Sequence, residues 1–140
     1  MILPGGAAVH GRGLVRDAPP DRRPDFGLYL GTWWLRRRRG SGITWPHAWI
    51  TWPDFGLPLS TMSARAAIGD LHARASRGER VEVACGGGTG RTGTVLACLA
   101  TMDGLSPEDA ITWTRTHHRP KAVETPWQRR WVDSFGRSRL

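Results

Sequence analysis

Hydrophobic and polar positions change period several times along this chain. Phe26-Gly-Leu-Tyr-Leu30 and His47-Ala-Trp-Ile-Thr51 are short runs rich in aromatic and branched residues, and each predicts a strand. A third strand is predicted over Glu79–Ala84, with short strands near Ala8 and Leu14. Elsewhere the spacing is helical. Ala64, Ala67, Ile68, Leu71 and Ala75 share one helix face, with Ser60 or Thr61 as cap and Gly78 as stop beyond about Arg77. Val95 to Met102 is apolar all round, as befits a helix under a buried site. Ser106-Pro107-Glu108-Asp109 opens a further helix with a cap, a first-turn proline and two acids suited to the dipole. That helix ends at His117-His118-Arg119-Pro120, and a last one runs from about Pro126 to Phe135. Gly31 to Trp45 predicts a loop, and residues 1–25 are rich in turn formers. Strands alternating with helices, then a run of helices, predict a compact α/β domain: a small, mostly parallel central sheet flanked by helices. Residues 1–140 are expected to form one domain, with 1–25 as its turn-rich N-terminal segment.

Composition narrows the picture a little. No run of 18 apolar residues exists, so no membrane span is expected. The opening Met-Ile-Leu-Pro-Gly-Gly lacks a basic start before a long apolar stretch, which argues against a secretory signal. Two cysteines are too few for a disulfide framework and favour a reducing, cytoplasmic setting. The net charge of +8 draws anions, whether nucleic acid, acidic lipid or phosphorylated substrate. Arg36 to Arg39 form the densest basic block, which reads either as a solvated loop or as an anchor for an acidic partner. Of the eight tryptophans, Trp45, Trp49 and Trp52 bracket one stretch, and Trp127 and Trp131 share a helix face.

One stretch carries the chemistry. Val81-Glu-Val-Ala-Cys85 is an apolar run that stops at a thiol. Gly86, Gly87, Gly88, Thr89 and Gly90 follow, then Arg91, and an apolar helix begins. A helix start binds anions because its first amides lack intrahelical acceptors and the dipole is positive there. Glycines let successive N–H groups converge on one point. The same field favours the thiolate, the only useful nucleophile a cysteine offers. Arg91 adds a planar fork able to hold two phosphoryl oxygens. The stretch suits the holding of a phosphate while sulfur attacks it.

Cys85-x5-Arg91-Thr92-Gly93 resembles the signature loop of the protein tyrosine phosphatase superfamily, with Gly88 and Gly90 also matching. Trp52-Pro53-Asp54 resembles the mobile loop that carries that family's general acid, in the chain order of the tyrosine and dual-specificity branches. Glu124-Thr125-Pro126-Trp127-Gln128 resembles the loop whose glutamine positions water. The resemblance implies a compact dual-specificity-phosphatase fold and a cysteine phosphatase acting on phosphotyrosine, and on phosphoserine or phosphothreonine as well, in proteins. It implies Cys85 as nucleophile, Arg91 and the amides of Gly86 to Arg91 as the phosphate cradle, Asp54 as acid and then base, Thr92 as helper of the departing thiolate, and Gln128 as the water-orienting group. No metal or cofactor is called for. One departure stands out: the family usually has His before the cysteine, and here the residue is Ala84. A less readily ionised thiol is expected, not a dead enzyme.

Other readings stand beside this one. Gly88-Thr-Gly90-Arg-Thr-Gly93 also satisfies the dinucleotide fingerprint, but helix follows where a second strand ending in an acid is required. A Walker loop fails at Cys85 and Arg91. Thr125 to Gln128 also forms a capping box, so Gln128 has a purely structural reading. Cys98 reads as core filler, with a reversible disulfide to Cys85 as the alternative. Neighbouring helical residues point about 100° apart, which argues against His117 and His118 as a metal pair. A phosphatase of phosphoinositides or other small metabolites, a phosphate-binding module without turnover, and a nucleic-acid binder are the competing functions. The last leaves the pairing of Asp54 with Cys85 unexplained. Oligomeric state is not written in the sequence.

Overall fold

The runs of period two become four parallel strands. A computed structural model describes residues 1–15 and 17–137. Strands β1 (Val9–Gly13), β2 (Phe26–Gly31), β3 (His47–Thr51) and β4 (Val81–Cys85) form one sheet in the order β1-β4-β2-β3. All its pairings are parallel, so every strand ends at the same edge. A parallel sheet needs cover on both faces, and side-chain alternation divides them. Leu28, Leu30, Ile50, Val81, Val83 and Cys85 enter the main core. Tyr29 and Ala84 point the other way, into a smaller cluster with Leu14 and Ile43.

Four helices cover the main-core face: α2 (Thr61–Ser76), α3 (Gly90–Met102), α4 (Pro107–His117) and α5 (Pro126–Arg137). Helix α2 turns Ala64, Ile68, Leu71 and Ala75 inward, and the Ser60 side chain caps it by accepting the Ser63 amide. Helix α3 is buried from Gly90 to Ala100. Gly93 permits this, because a Cβ there would lie 2.5 Å from that of Ala122. Cys98 sits within α3, wholly buried, and desolvation pushes its thiol well above the ordinary value. Both cysteines are free thiols. Trp131 packs tilted against Trp52 at 5.4 Å, whereas the neighbouring Trp127 is exposed. No helix among the described residues is long and apolar enough to cross a membrane.

Two segments differ from the sequence expectation. The first strand lies between the two expected sites, over Val9–Gly13, and Ile2 forms an antiparallel bridge with Ala8. The expected loop over Gly31 to Trp45 instead holds helix α1 (Trp33–Arg39) and a short 3-10 turn (Gly40–Gly42). Leucine and arginine are good helix formers, and cations suit the negative end of the dipole. Arg37 lies over the Trp33 ring and Arg38 over Trp34, each one helical turn on. These contacts offset the repulsion that made four like charges read as loop.

The smaller face also holds a buried polar network. Arg12 donates to both carboxylate oxygens of Glu82, at 2.6 and 3.1 Å. The Tyr29 hydroxyl donates to Glu82 Oε2 at 2.6 Å and accepts from Trp45 Nε1 at 2.6 Å. Burial, and then the carboxylate beside it, drive the Tyr29 phenol far above its ordinary range, so it stays a donor. This network ties β1, β4 and β2 together behind the edge where the strands end. Glu82→Ala would leave the Arg12 charge buried and unpaired. It is expected to cost about 3–5 kcal/mol, read as a fall in the urea midpoint with unchanged slope.

Candidate active site

Strand β4 ends at Cys85 and helix α3 begins at Gly90, so the four residues between must turn the chain at the sheet edge. Gly88 makes the turn with φ of 78°. A Cβ there would also lie 2.4 Å from the Gly13 amide nitrogen, so the loop backbone rests directly on the end of β1. Four successive carbonyls of this loop are held from outside. The Leu14 amide donates to Cys85 O at 2.7 Å, and the Val15 amide to Gly86 O at 3.1 Å. Arg119 Nη1 donates to Gly87 O at 2.6 Å, and His118 Nε2 to Gly88 O at 2.7 Å.

A trans peptide keeps each carbonyl and the next N–H on opposite sides. Four carbonyls gripped from outside therefore turn the N–H groups of Gly86, Gly87, Gly88 and Thr89 inward. One of these is seen directly: the Gly88 N–H donates to Cys85 Sγ at 3.1 Å. The sulfur thus meets a dipole of the loop, although Cys85 is otherwise nearly buried. Because His118 is partly desolvated, its imidazole is held below the ordinary value and stays neutral at neutral pH. Its bond to a carbonyl fixes the proton on Nε2.

Arg119 is itself anchored. It donates to the Thr89 hydroxyl and pairs with Asp17. Asp17 accepts the Gly13 amide at 2.7 Å; that bond first, and Arg119 after it, hold its carboxyl below the usual carboxylate range against partial desolvation. Sequence reading missed Asp17, His118 and Arg119. His118 and Arg119 read there only as the end of α4, with His118 also weighed and set aside as a metal ligand, because nothing local links residues 118–119 to a loop 30 residues earlier.

Arg91 lies in the first turn of α3, nearly buried. Its Nη1 donates to Trp52 O at 2.9 Å, and its Nη2 stands 3.4 Å from Asp54 Oδ1. Among the described residues its Nε has no hydrogen-bond partner, and neither has the buried Thr92 hydroxyl. A buried donor left unpaired costs about 1–3 kcal/mol, so the fold holds two costly groups beside the cysteine loop.

Asp54 follows β3 on a turn closed by the Gly56 amide donating to Pro53 O at 3.0 Å. Three side chains dock that turn over the cleft. Trp52 Nε1 and Gln128 Nε2 both donate to Gly56 O, at 2.8 and 3.2 Å, and Trp127 Nε1 donates to Phe55 O. Gln128 is fully buried, and its Oε1 accepts the amides of Glu124 and Thr125. The capping bonds and the tether to the Asp54 turn therefore coexist on one side chain. The cleft, of about 440 Å³, brings together Asp54, Cys85, Gly86, Gly87, Thr89 and Gly90, with Arg119 and Glu124 on its rim.

The chain is 36% identical over 96 residues to the uncharacterized protein MJECL20 of Methanocaldococcus jannaschii, covering 68% of this chain and 63% of that one. It is 33% identical over 91 residues to protein 067L of Invertebrate iridescent virus 3, whose name places it provisionally among tyrosine phosphatases; 59% of this chain and 38% of that one are covered. The chain thus spans between about a third and two thirds of the curated relatives it matches. Among solved structures, Tk-PTP in its active form superposes with a TM-score of 0.68 at 26% identity, over 97% of this chain and 99% of that one. Kinase associated phosphatase, with its catalytic cysteine replaced by serine, gives 0.71 at 20% identity over 83% and 70%. Residues 58–133, more than half of the chain, match the family model described as Swiss Army Knife protein, DSP-PTPase phosphatase domain, and the chain belongs to that family within the protein tyrosine phosphatase superfamily.

Proposed function

We propose that this chain is a cysteine-dependent phosphatase that hydrolyses phosphate monoesters, with phosphotyrosine in proteins as its leading substrate class. The observation that carries this reading is the Gly88 N–H donating to Cys85 Sγ within a loop whose four carbonyls are held on its other side, with the Arg91 Nε left without a partner among the described residues. Such a cup complements the equatorial oxygens of a phosphoryl group. Cys85 attacks phosphorus in line, the bond to the leaving oxygen breaks, and Asp54 gives that oxygen its proton. Water then attacks the phosphocysteine, Asp54 takes the proton back, and the sulfur leaves as a thiolate beside the Thr92 hydroxyl. Gln128, with both ends of its amide engaged, acts here as the tether of the Asp54 turn and reaches water only by releasing Gly56.

A second reading is favoured by the open cleft and by Arg119 on its rim. Phosphoinositides or other small phosphorylated metabolites would enter such an open cleft, where Arg119 stands with Asp17, Asp54 and Glu124. PTPMT1, solved with PI(5)P, shares the fold at 18% identity and a TM-score of 0.62. A binding module without turnover is disfavoured because Cys85, Arg91 and Asp54 are all present.

Aryl phosphate hydrolysis separates enzyme from binder. Cys85→Ser is expected to abolish turnover, Asp54→Asn to lower kcat by about 10²–10⁴, and Glu124→Gln to change it by less than about fivefold. Full activity in Cys85→Ser rejects the mechanism. A panel of phosphotyrosine peptide, phosphothreonine peptide and inositide then ranks the substrate classes. For Arg119, Arg119→Met is expected to lower kcat about 10-fold or more, because the peptide between Gly87 and Gly88 loses its outer grip. Arg119→Lys, which keeps one donor, should recover part of that loss. Equal damage in both variants points to substrate binding by the guanidinium instead.

A further inference from the structure

Because the four strands are parallel, all their following loops emerge at one edge, the edge that holds the cysteine loop. Every large exposed hydrophobic residue among the described residues except Ile2 lies at that edge. Val15 follows β1; Trp33 and Trp34 follow β2; Phe55, Leu59 and Met62 follow β3. The exposure is substantial: 65% for Trp33, 58% for Trp34, 73% for Leu59 and 84% for Met62. Apolar surface concentrated on one side of a molecule marks an interaction face.

Acidic Asp17, Asp54 and Glu124 line the cleft itself, and the charge on helix α1 beside it has one sign. Helix α1 carries Arg36 to Arg39 and no acidic residue, and none of its side chains is buried. Among the described residues, no ion pair involves any of these four arginines. Arg37 and Arg38 lie over the two exposed indoles and keep cation and aromatic surface together. Tryptophan beside arginine is the composition that settles at a bilayer's headgroup level, where ring and guanidinium each find a match. An anionic leaflet supplies the missing counter-charge. Single-stranded nucleic acid fits less well. The two indoles are tilted 56° from each other, so they form no pair of parallel stacking platforms, and Val15, Leu59 and Met62 offer no ring to a base.

We propose that this edge docks on an anionic lipid bilayer, with α1 as its principal anchor and the cysteine cleft facing the headgroups. The attachment is peripheral: apolar side chains enter the interface and arginines engage the acidic headgroups.

Vesicle sedimentation of the full chain tests it, with mixed vesicles of phosphatidylcholine and phosphatidylserine at roughly two to one, and with phosphatidylcholine alone. Sedimentation with the mixed vesicles and little with the neutral ones is expected. Each arginine near such a surface changes the affinity about fivefold. Arg37→Gln with Arg38→Gln should therefore weaken binding about tenfold or more, as should Trp33→Ala with Trp34→Ala. Because these side chains are exposed, the thermal melt and the turnover of a soluble aryl phosphate should stay at wild-type values. Should the tryptophan pair melt early, the arginine pair decides. Failure of the wild-type chain to sediment overturns the proposal, as do variants that sediment like wild type. So does tighter binding of a single-stranded oligonucleotide than of mixed vesicles, lost in the same variants.

Discussion

The planarity of four peptide bonds is the constraint on which the site rests. A loop amide can face the sulfur only if its preceding carbonyl faces away, and a carbonyl facing away needs a donor there. Leu14, Val15, His118 and Arg119 are those donors. Two are backbone amides just past β1, and two are side chains at the end of α4. The proposed phosphate cradle is thus shaped from behind by elements that need not touch a phosphate. This also puts the missing histidine before the cysteine in context. Ala84 sits in the small second cluster, and the outward grip comes from a histidine far along the chain.

The sheet makes that grip possible. Gly13 pairs with Cys85 in register, so β1 and β4 end together and the chain beyond each lies side by side. On the opposite face Arg12, one residue before that end, reaches back to Glu82, three residues before it. It braces the two strands where the loop departs. A buried ion pair seldom adds net stability over an apolar filling, so its value here is in fixing the relative position of β1 and β4.

What could be read from the sequence was what is contiguous. The cysteine loop, the Asp54 turn and the helix caps each occupy a few neighbouring residues, and their chemistry follows from residue type and spacing. The helices were legible for the same reason, with Ser60 and Ser106 marking their starts. Helix α1 was not, because four like charges argue for loop and the pairing of Trp33 with Arg37 becomes visible only once a helix is assumed. Glu82 was equally silent. In Val-Glu-Val it looks like the solvent side of an alternating strand, and its partner Arg12 is 70 positions away. The outer grips of His118 and Arg119 belong to the same class: they depend on which strand ends beside which helix, and that is a property of topology.

The segment matched to the family, residues 58–133, begins after β3. It contains the sulfur, the guanidinium and the two side chains at the end of α4, yet it leaves out Leu14, Val15 and Asp17. A protein trimmed to that similarity boundary would keep the sulfur and the guanidinium while losing Asp54 and half of the scaffold that orients the peptides around them. The recognisable unit and the working unit are therefore of different size here, and the larger one reaches back to the first strand.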